Sequence, residues 1–342
     1  MDEETRQEEI IVDEGISRER LDKFLTRLLP QTRQWIQKRI TGQQILLNGK
    51  PTKSGALVSA GDLILMAEAP EQTEYLTPHP LPLTILHEDD SLVVLDKQAG
   101  LVVHPGAGVR EPTLVEGLLY HFGRKTRLEV QGQDNRPGVV HRLDKDTTGV
   151  MVCAKTPEAH QKLAVQFAEK SNVREYLALL AGRFPEEEMV YESYLGRDPK
   201  NRVKMMSRSE ESFDEAGPPA GWRSAKSAFR VVRRIEVAGQ ALTLCKVRLF
   251  TGRTHQIRAH AEALGFPVWG DQTYKGIDKP VAVLSGGSKI EKMLMGVKRQ
   301  MLHARFLGFT HPTTKEKMMF EADLPKDFQL ILEAVLENSY DQ

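Results

Sequence analysis

Two short segments of the chain concentrate the side chains that could carry out chemistry. The first, GVVHRLDKDTTG, places His141, Arg142 and Asp144 between two strand-like runs and predicts a turn at Thr147-Thr148-Gly149. A carboxylate on a loop held by rigid strands can serve as a nucleophile or as a general acid or base. An Arg-Leu-Asp sequence between strands is also typical of a surface ion pair, so this segment alone leaves both interpretations open.

The second segment, LFTGRTHQIRAHAEALG, has the spacing of a helix that Thr251 or Thr254 could cap. With the apolar positions of this helix facing the core, the side chains available for function are Arg253, His255, Arg258 and His260. His255 and Arg258 are three positions apart and therefore share one helical surface. His255 and His260 are five apart and do not make an obvious metal pair, so we expect no metal site.

The strands and helices that would position these two segments are predicted in the chain from residue 77 onward. LTILHEDDSLVVLDK, TGVMVCAK and NVREYLALLAG are strand-like, PEAHQKLAVQFAEK is helical, and the two types do not alternate regularly. This pattern favours an α+β fold with a mostly antiparallel mixed sheet over a doubly wound parallel one. We expect this domain to span residues 77–336, with a mobile, polar surface insertion at residues 205–225 and a tail at residues 337–342.

The N-terminal region divides by charge. Residues 1–16 carry seven acidic residues and one arginine, and we expect them to form a disordered tail. Residues 17–66 carry nine basic and three acidic residues, and their apolar spacing predicts two amphipathic helices followed by a hairpin at Asn48-Gly49. We expect residues 17–76 to form a small α/β-hairpin domain that binds the RNA backbone, although basic helical faces that merely contact solvent would give the same pattern.

Composition excludes several other classes of protein. The 342 residues are 40% hydrophobic, enough for a substantial core, and no apolar run approaches the roughly 18 residues of a membrane span. The acidic start lacks the positive charge of a secretory signal. The two cysteines, Cys153 and Cys245, lie in apolar runs and suit a reducing compartment, so we expect a cytoplasmic monomer with no membrane partner.

Four motifs, in this order along the chain, resemble those of one enzyme family. HRLDKDTTG, REYLALLAG, TGRTHQIRAH with GDQTYKG, and LHARFLGFTHPTTKEKMMFEADLP are similar to the large-subunit ribosomal RNA pseudouridine synthases across residues 82–335. LVVHPGAG points to the D type of this family, as does the N-terminal module, which resembles the small RNA-binding domain named after ribosomal protein S-four. Gln98 stands where the family usually has a proline, which removes a fixed dihedral but no catalytic group.

The resemblance implies that the chain isomerises specific uridines to pseudouridine in large-subunit (23S) ribosomal RNA without a cofactor. It implies that Asp144 is the nucleophile, that Arg258 keeps this carboxylate ionised, and that Tyr176 stacks on the base and takes part in proton transfer. Attack at the sugar's anomeric carbon and attack at ring carbon 6 both remain open. The expected substrate contacts are Arg142, His141, Arg253 and His255.

Some roles and two rival functions remain open from the sequence alone. Arg142 is the expected wedge that holds the gap left by a flipped base, whereas His141 could instead be a structural turn residue. A non-catalytic ribosome-assembly factor would bind ribosomal RNA through the same basic module, although the intact HRLDKDTTG segment argues against it. A metal-dependent nuclease or hydrolase would need grouped ligands, which the spacing of the histidines and acids does not provide.

Overall fold

The structure, a computed structural model, describes residues 7–16, 18–29, 33–67, 76–106, 109–123, 138–215, 217–275 and 288–339. Within them the chain divides into two compact units, the first extending to Thr77 and the second beginning at Pro78. This division lies one residue from the boundary expected between residues 76 and 77.

The described part of the first unit contains two helices and six short strands. The helices are α1 (Leu21–Leu28) and α2 (Arg33–Thr41). The strands are β1 (Gln7–Ile11), β2 (Glu19–Arg20), β3 (Ile45–Leu47), β4 (Lys50–Pro51), β5 (Leu57–Val58) and β6 (Leu63–Ala67). β1, β6, β3 and β4 form one antiparallel sheet in that order, and β2 pairs with β5.

The core of this unit follows the predicted helical spacing. Leu21, Phe24 and Leu25 of α1 are buried together with apolar residues of α2 and of the sheet. Asn48 and Gly49 have φ angles of 50° and 74°, as a two-residue turn between paired strands requires. The predicted helices and hairpin are therefore confirmed.

Asp22, on α1, organises the basic side chains of Arg20 on β2 and Arg33 on α2. Its buried carboxylate accepts hydrogen bonds from Arg20 and Arg33 at 2.8–3.1 Å and from Gln37 at 2.7 Å. The hydrogen bonds from Arg20 outweigh the effect of burial and, with those from Arg33 and Gln37, lower the pKa of Asp22. Both arginine side chains keep 45% of their surface exposed, so their charges are held in fixed positions at the surface.

The expectation of a disordered tail at residues 1–16 is wrong for its second half. Gln7–Ile11 forms β1 and pairs antiparallel with β6. Val12 is 1% exposed in the core of the unit, and Ile10 packs against that core. The strand forms because these apolar side chains are buried while the acidic ones stay in solvent. Residues 1–6 lie outside the described residues.

The described part of the second unit is built around one large sheet. Its strands are β7 (Thr84–Glu88), β8 (Leu92–Lys97), β9 (Thr148–Ala154), β10 (Val173–Ala181), β11 (Glu188–Arg197), β12 (Met205–Arg208), β13 (Arg223–Val237), β14 (Gln240–Leu249), β15 (Leu302–Thr310) and β16 (Lys317–Glu321). Its helices are α3 (Leu114–Phe122), α4 (Pro157–Glu169), α5 (Gln256–Ala263), α6 (Lys289–Met295) and α7 (Lys326–Glu337). None of the helices described in either unit has the length and apolar character needed to cross a lipid bilayer.

The sheet is mostly antiparallel. Its strand order is β12-β11-β13-β14-β10-β15-β9-β8-β7, with β16 beside β15, and β9 and β15 form its parallel pair. This arrangement confirms the predicted α+β fold. Gly149 has a φ of 117°, and a Cβ there would lie 2.2 Å from the carbonyl oxygen of Ala304, so the parallel pairing requires glycine. Gly149 therefore belongs to β9, and the predicted turn lies at Asp144–Thr147 instead.

The insertion expected at residues 205–225 is partly built into the sheet. Met205–Arg208 forms β12 and pairs with β11. The Trp222 ring packs over Gly196, where a Cβ would approach it to 2.3 Å, and Phe213 meets Trp222 edge-on at 5.3 Å between ring centroids. These aromatic contacts pack part of the segment against β11, where the sequence led us to expect a mobile surface loop.

Candidate active site

The HRLDKD loop leads into β9, and alternating burial sets its geometry. Leu143 is 4% exposed and packs in the main core of the second unit, whereas Arg142 before it is exposed. Asp144 after it keeps 18% of its side chain exposed. The Asp144 carbonyl accepts a hydrogen bond from the Thr147 N–H at 3.1 Å, which closes a turn. The buried Leu143 side chain thus anchors the loop, and the charged residues on either side of it, Arg142 and Asp144, reach the surface.

Lys97, at the end of β8, ties this loop to the sheet. Its fully buried ammonium donates 2.9 Å hydrogen bonds to the carbonyls of Gln98, Leu101 and Lys145. Burial lowers the pKa of Lys97 to about 7. The three carbonyls match the three protons of the charged form, so the geometry favours the ammonium ion. The signal in the sequence is a lysine that ends the apolar strand LVVLDK, and no role was predicted for it.

Arg258, on α5, contacts the Asp144 carboxylate. Its Nη1 donates to Asp144 Oδ2 at 3.0 Å. Its Nε and Nη2 donate to the two carboxylate oxygens of Asp271 at 2.5 and 2.9 Å. Burial opposes the charge of Arg258, but the hydrogen bonds and charge of Asp271, joined by those of Asp144, more than offset it and raise the pKa of Arg258. One permanently charged guanidinium therefore bridges two carboxylates.

Asp271 is the residue that orients Arg258, and the sequence did not single it out. Its side chain is 0% exposed, and its Oδ1 also accepts hydrogen bonds from the Thr273 and Tyr274 backbone N–H groups at 2.9 and 3.0 Å. A Cβ on Gly270 would lie 2.1 Å from the Arg299 carbonyl oxygen, so the chain reaches Asp271 through a close approach that requires glycine. The available signal was an Asp that precedes a turn in GDQTYKG.

His255 lies at the start of α5 in a left-handed conformation, with φ 55° and ψ 22°. Its Nε2 is 3.9 Å from Asp144 Oδ1, and its Nδ1 is 3.2 Å from the Tyr274 hydroxyl. Burial lowers the pKa of His255, which favours the neutral imidazole near pH 7. The predicted threonine cap is wrong, because Thr251 instead donates to the Gln256 side chain at 2.7 Å.

A cleft of about 280 Å³ opens at these residues. Of the predicted site residues, Arg142, Asp144, His255 and Arg258 line it. Its other walls come from Val102, Val103, Leu143, Lys145, Asp146, Val203, Gln272, Thr273, Lys298 and Gln300. The structure thus brings four of the seven predicted residues to one cavity of the size that accepts a small group.

Tyr176 and Arg253 lie outside the lining of this cleft. Tyr176, on β10, is 7% exposed in the main core, and burial raises its pKa to about 12. The phenol is therefore protonated at neutral pH. Arg253 is exposed, and its Nε donates to the Ser224 carbonyl at 3.1 Å.

His141 packs against neighbouring secondary structure and does not line the cleft. Its ring stacks on Phe167 with centroids 4.5 Å apart and an interplanar angle of 14°. Its Nε2 accepts the Val152 N–H at 3.1 Å, and burial lowers the pKa of His141 to about 3. These contacts support the structural turn role that the sequence left open for His141 beside the predicted substrate contact.

The arrangement suits covalent or proton-transfer chemistry on a group that enters the cleft. The Asp144 carboxylate is partly exposed, and a fixed guanidinium directs one of its oxygens. The described residues hold no group of three or more His, Cys, Asp or Glu side chains placed to bind a metal ion.

Comparison with known proteins identifies the chemistry. The family model described as RNA pseudouridylate synthase matches residues 91–263, and that of the S4 domain matches residues 19–64. The chain belongs to the RNA pseudouridylate synthase family. It is therefore an isomerase with an N-terminal RNA-binding domain, and the predicted family and enzyme class are confirmed. Membership also favours the enzyme over the binding-only alternative.

Relatives of this synthase match nearly its whole length. An uncharacterized RNA pseudouridine synthase of Chlorobaculum parvum is 38% identical, over 92% of this chain and 94% of its own. Ribosomal large subunit pseudouridine synthase D of Pseudomonas aeruginosa is also 38% identical, over 92% and 91%. The solved structure of human RNA pseudouridylate synthase domain containing 4 is 23% identical, covers 74% of this chain and 93% of its own, and has a TM-score of 0.55, which shows a similar fold.

Proposed function

We propose that this synthase isomerises uridines of large-subunit (23S) ribosomal RNA, with Asp144 as its nucleophile. The observation that carries the proposal is the Asp144–Arg258 contact of 3.0 Å at the cleft, with Arg258 itself held by Asp271. The RNA class is supported by relatives of Pseudomonas aeruginosa and Xanthomonas campestris named ribosomal large subunit pseudouridine synthase D, which are 38% and 35% identical over more than nine tenths of this chain.

The reaction breaks the bond between ribose C1′ and uracil N1 and forms one between C1′ and C5. The C5 proton leaves and N1 gains a proton, so the atoms balance without a redox partner. Asp144 holds the intermediate through a covalent bond, either at C1′ or at ring carbon 6. Arg258 directs the carboxylate for that attack, because its remaining hydrogen bonds to Asp271 prevent it from turning away.

Access to Asp144 requires that the uridine leave its stack, which costs a few kcal/mol. Arg142 is exposed and lines the same cleft as the nucleophile, so it is placed to fill the gap between the remaining bases. Tyr176 lies outside the cleft lining but near Asp144, since burial and then the Asp144 charge raise its pKa, and it supplies the aromatic platform and a protonated hydroxyl for proton transfer. His255 contacts the base from the cleft wall, and Arg253 meets a phosphate from its exposed position.

Sequencing with a pseudouridine-specific chemical label tests the RNA class. RNA from cells that lack the protein is compared with RNA from cells that regain wild type or Asp144→Asn. We expect labelled positions in large-subunit RNA that return with wild type and not with the variant. Labelled positions that depend on the protein only in transfer or messenger RNA would overturn the assignment.

A further inference from the structure

The loop between β11 and β12 borders the active-site cleft with an exposed aliphatic side chain. Val203 lines the cleft together with Asp144 and Arg258, yet it is 66% exposed. Exposure of an apolar side chain to water is unfavourable in free energy, whereas contact with a ligand in the cleft would bury that surface and be favourable. The catalytic groups alone do not account for an exposed valine at the mouth of the cleft.

The backbone of this loop is ordered by its own hydrogen bonds. Asp198 Oδ1 accepts from the N–H groups of Lys200 and Asn201 at 2.8 and 3.3 Å. Asn201 Oδ1 in turn accepts the Val203 N–H at 3.2 Å. The Asp198 N–H donates to the Lys204 carbonyl at 3.0 Å and closes the hairpin. These bonds order the backbone at Val203, which reduces the entropy lost on binding.

Two contacts fix the hairpin to the active site. Lys204 Nζ lies 2.6 Å from Glu262 Oε1 on α5. The Tyr274 hydroxyl accepts the Met205 N–H at 2.8 Å and lies 3.1 Å from the Met205 carbonyl. The same hydroxyl is 3.2 Å from His255 Nδ1, so Tyr274 connects the loop to a residue that lines the cleft.

The hairpin is also strongly basic. Its segment 197–208 contains five basic residues and one acidic residue, and the exposed basic ones are Arg197, Lys200, Arg202 and Arg208. Such a charge fits a polyanion, and an aliphatic contact flanked by cations fits a nucleic-acid strand, whose sugars and bases alternate with phosphates.

We propose that the β11–β12 hairpin (residues 198–204) grips the RNA strand that flanks the target uridine, with Val203 packed on the base or ribose of a neighbouring nucleotide and Lys200 and Arg202 on its phosphates. The proposal rests on the proposed function and adds a specificity surface to it. The grip keeps the uridine in the cleft and takes no part in bond making.

The apolar contact is tested with Val203→Asp and Val203→Ala. Val190→Asp is the matched control, because Val190 is 51% exposed on β11 and lies outside the cleft lining. Tritium release from large-subunit RNA fragments labelled at uridine C5 gives kcat and KM, and an Asp144→Asn background gives RNA affinity without turnover. We expect Val203→Asp to raise KM and Kd by at least about tenfold and Val203→Ala by about fivefold, as for loss of a buried aliphatic side chain, with kcat kept.

The phosphate contact is tested with Arg202→Gln against Lys246→Gln, an exposed lysine on β14. We expect only Arg202→Gln to flatten the dependence of log affinity on log salt, by about 0.7 for one phosphate. Wild-type affinity and salt slope in both the Val203 and the Arg202 variants would overturn the hairpin proposal. Wild-type protein that binds the fragments but releases no tritium would instead contradict the proposed function, and the binding measurements would still decide the hairpin.

Discussion

Replacing Asp271 by asparagine removes the charge that holds Arg258 and keeps the size of the side chain. Arg258 is 7% and Asp271 0% exposed, so their ion pair lies away from water. An asparagine amide accepts through one oxygen and turns its NH2 group toward a guanidinium N–H. Breaking one partner of a buried pair costs about 3–5 kcal/mol, and we expect the lower value because Asp144 remains beside Arg258.

The Asp271→Asn variant should also lose activity in the protein that remains folded. With its bonds to Asp271 weakened, Arg258 can turn and carry the Asp144 carboxylate away from the attack position. A displacement of about 1 Å at a reacting group costs roughly 100-fold in rate. We therefore expect Asp271→Asn to lose about 3 kcal/mol of unfolding free energy in urea and about 100-fold in single-turnover tritium release at saturating RNA.

The matched control is Glu321→Gln, which breaks the Arg305–Glu321 ion pair at 2.6 Å on β15 and β16. Glu321 is 57% exposed, so we expect a loss of at most about 1 kcal/mol and an unchanged rate. An Asp271→Asn protein that matched Glu321→Gln in both measurements would refute the role of Asp271 in positioning Arg258.

Three further outcomes follow from the structure. Arg258→Met should lose most of its turnover at saturating RNA with little change in RNA affinity; unchanged turnover would contradict its contact with the nucleophile. Removal of residues 1–75 should spare the single-turnover rate and flatten the salt dependence of log affinity by about 2–3 units for three or four lost phosphates; a full salt slope with a lost chemical rate would contradict it. Burial lowers the pKa of His303 to about 4, so the unfolded chain takes up a proton first and stability falls as pH drops from 6.5 to 4. His303→Asn should reduce that fall by about 1.4 kcal/mol per pH unit, checked by urea unfolding at several pH values.

The sequence predicted the parts of the site that lie in recognisable motifs. Asp144 and Arg258 are 114 positions apart in the chain, and in the sequence only their two motifs indicated that they act together. In the structure Arg258 Nη1 lies 3.0 Å from Asp144 Oδ2. Asp271 was missed because nothing in local spacing shows that its carboxylate meets Arg258. Such a contact depends on how the chain after α5 turns back, which periodicity does not encode.

The positions of His141 and of the N-terminal segment could not be predicted from the sequence, for different physical reasons. His141 adjoins exposed Arg142 in sequence, but the loop alternates its side chains and sends the imidazole onto Phe167. The acidic segment looked disordered by charge, yet the short apolar run around Ile10 pairs with β6 because each strand supplies the other's backbone partners. The charge of residues 1–16 is a property of the whole segment, whereas the order of its second half depends on a few apolar side chains, Ile10 and Val12, that pack in or against the core of the first unit.

The nucleophile is tested most directly by Asp144→Asn, which removes the charge and keeps the size of the side chain. Tritium release from C5-labelled uridine in large-subunit RNA reports the reaction, and Asp90→Asn, an exposed aspartate between β7 and β8, is the control. We expect Asp90→Asn to react at the wild-type rate and Asp144→Asn to release no tritium while it folds and binds RNA normally. Release by Asp144→Asn at more than a few per cent of the wild-type rate would contradict the account.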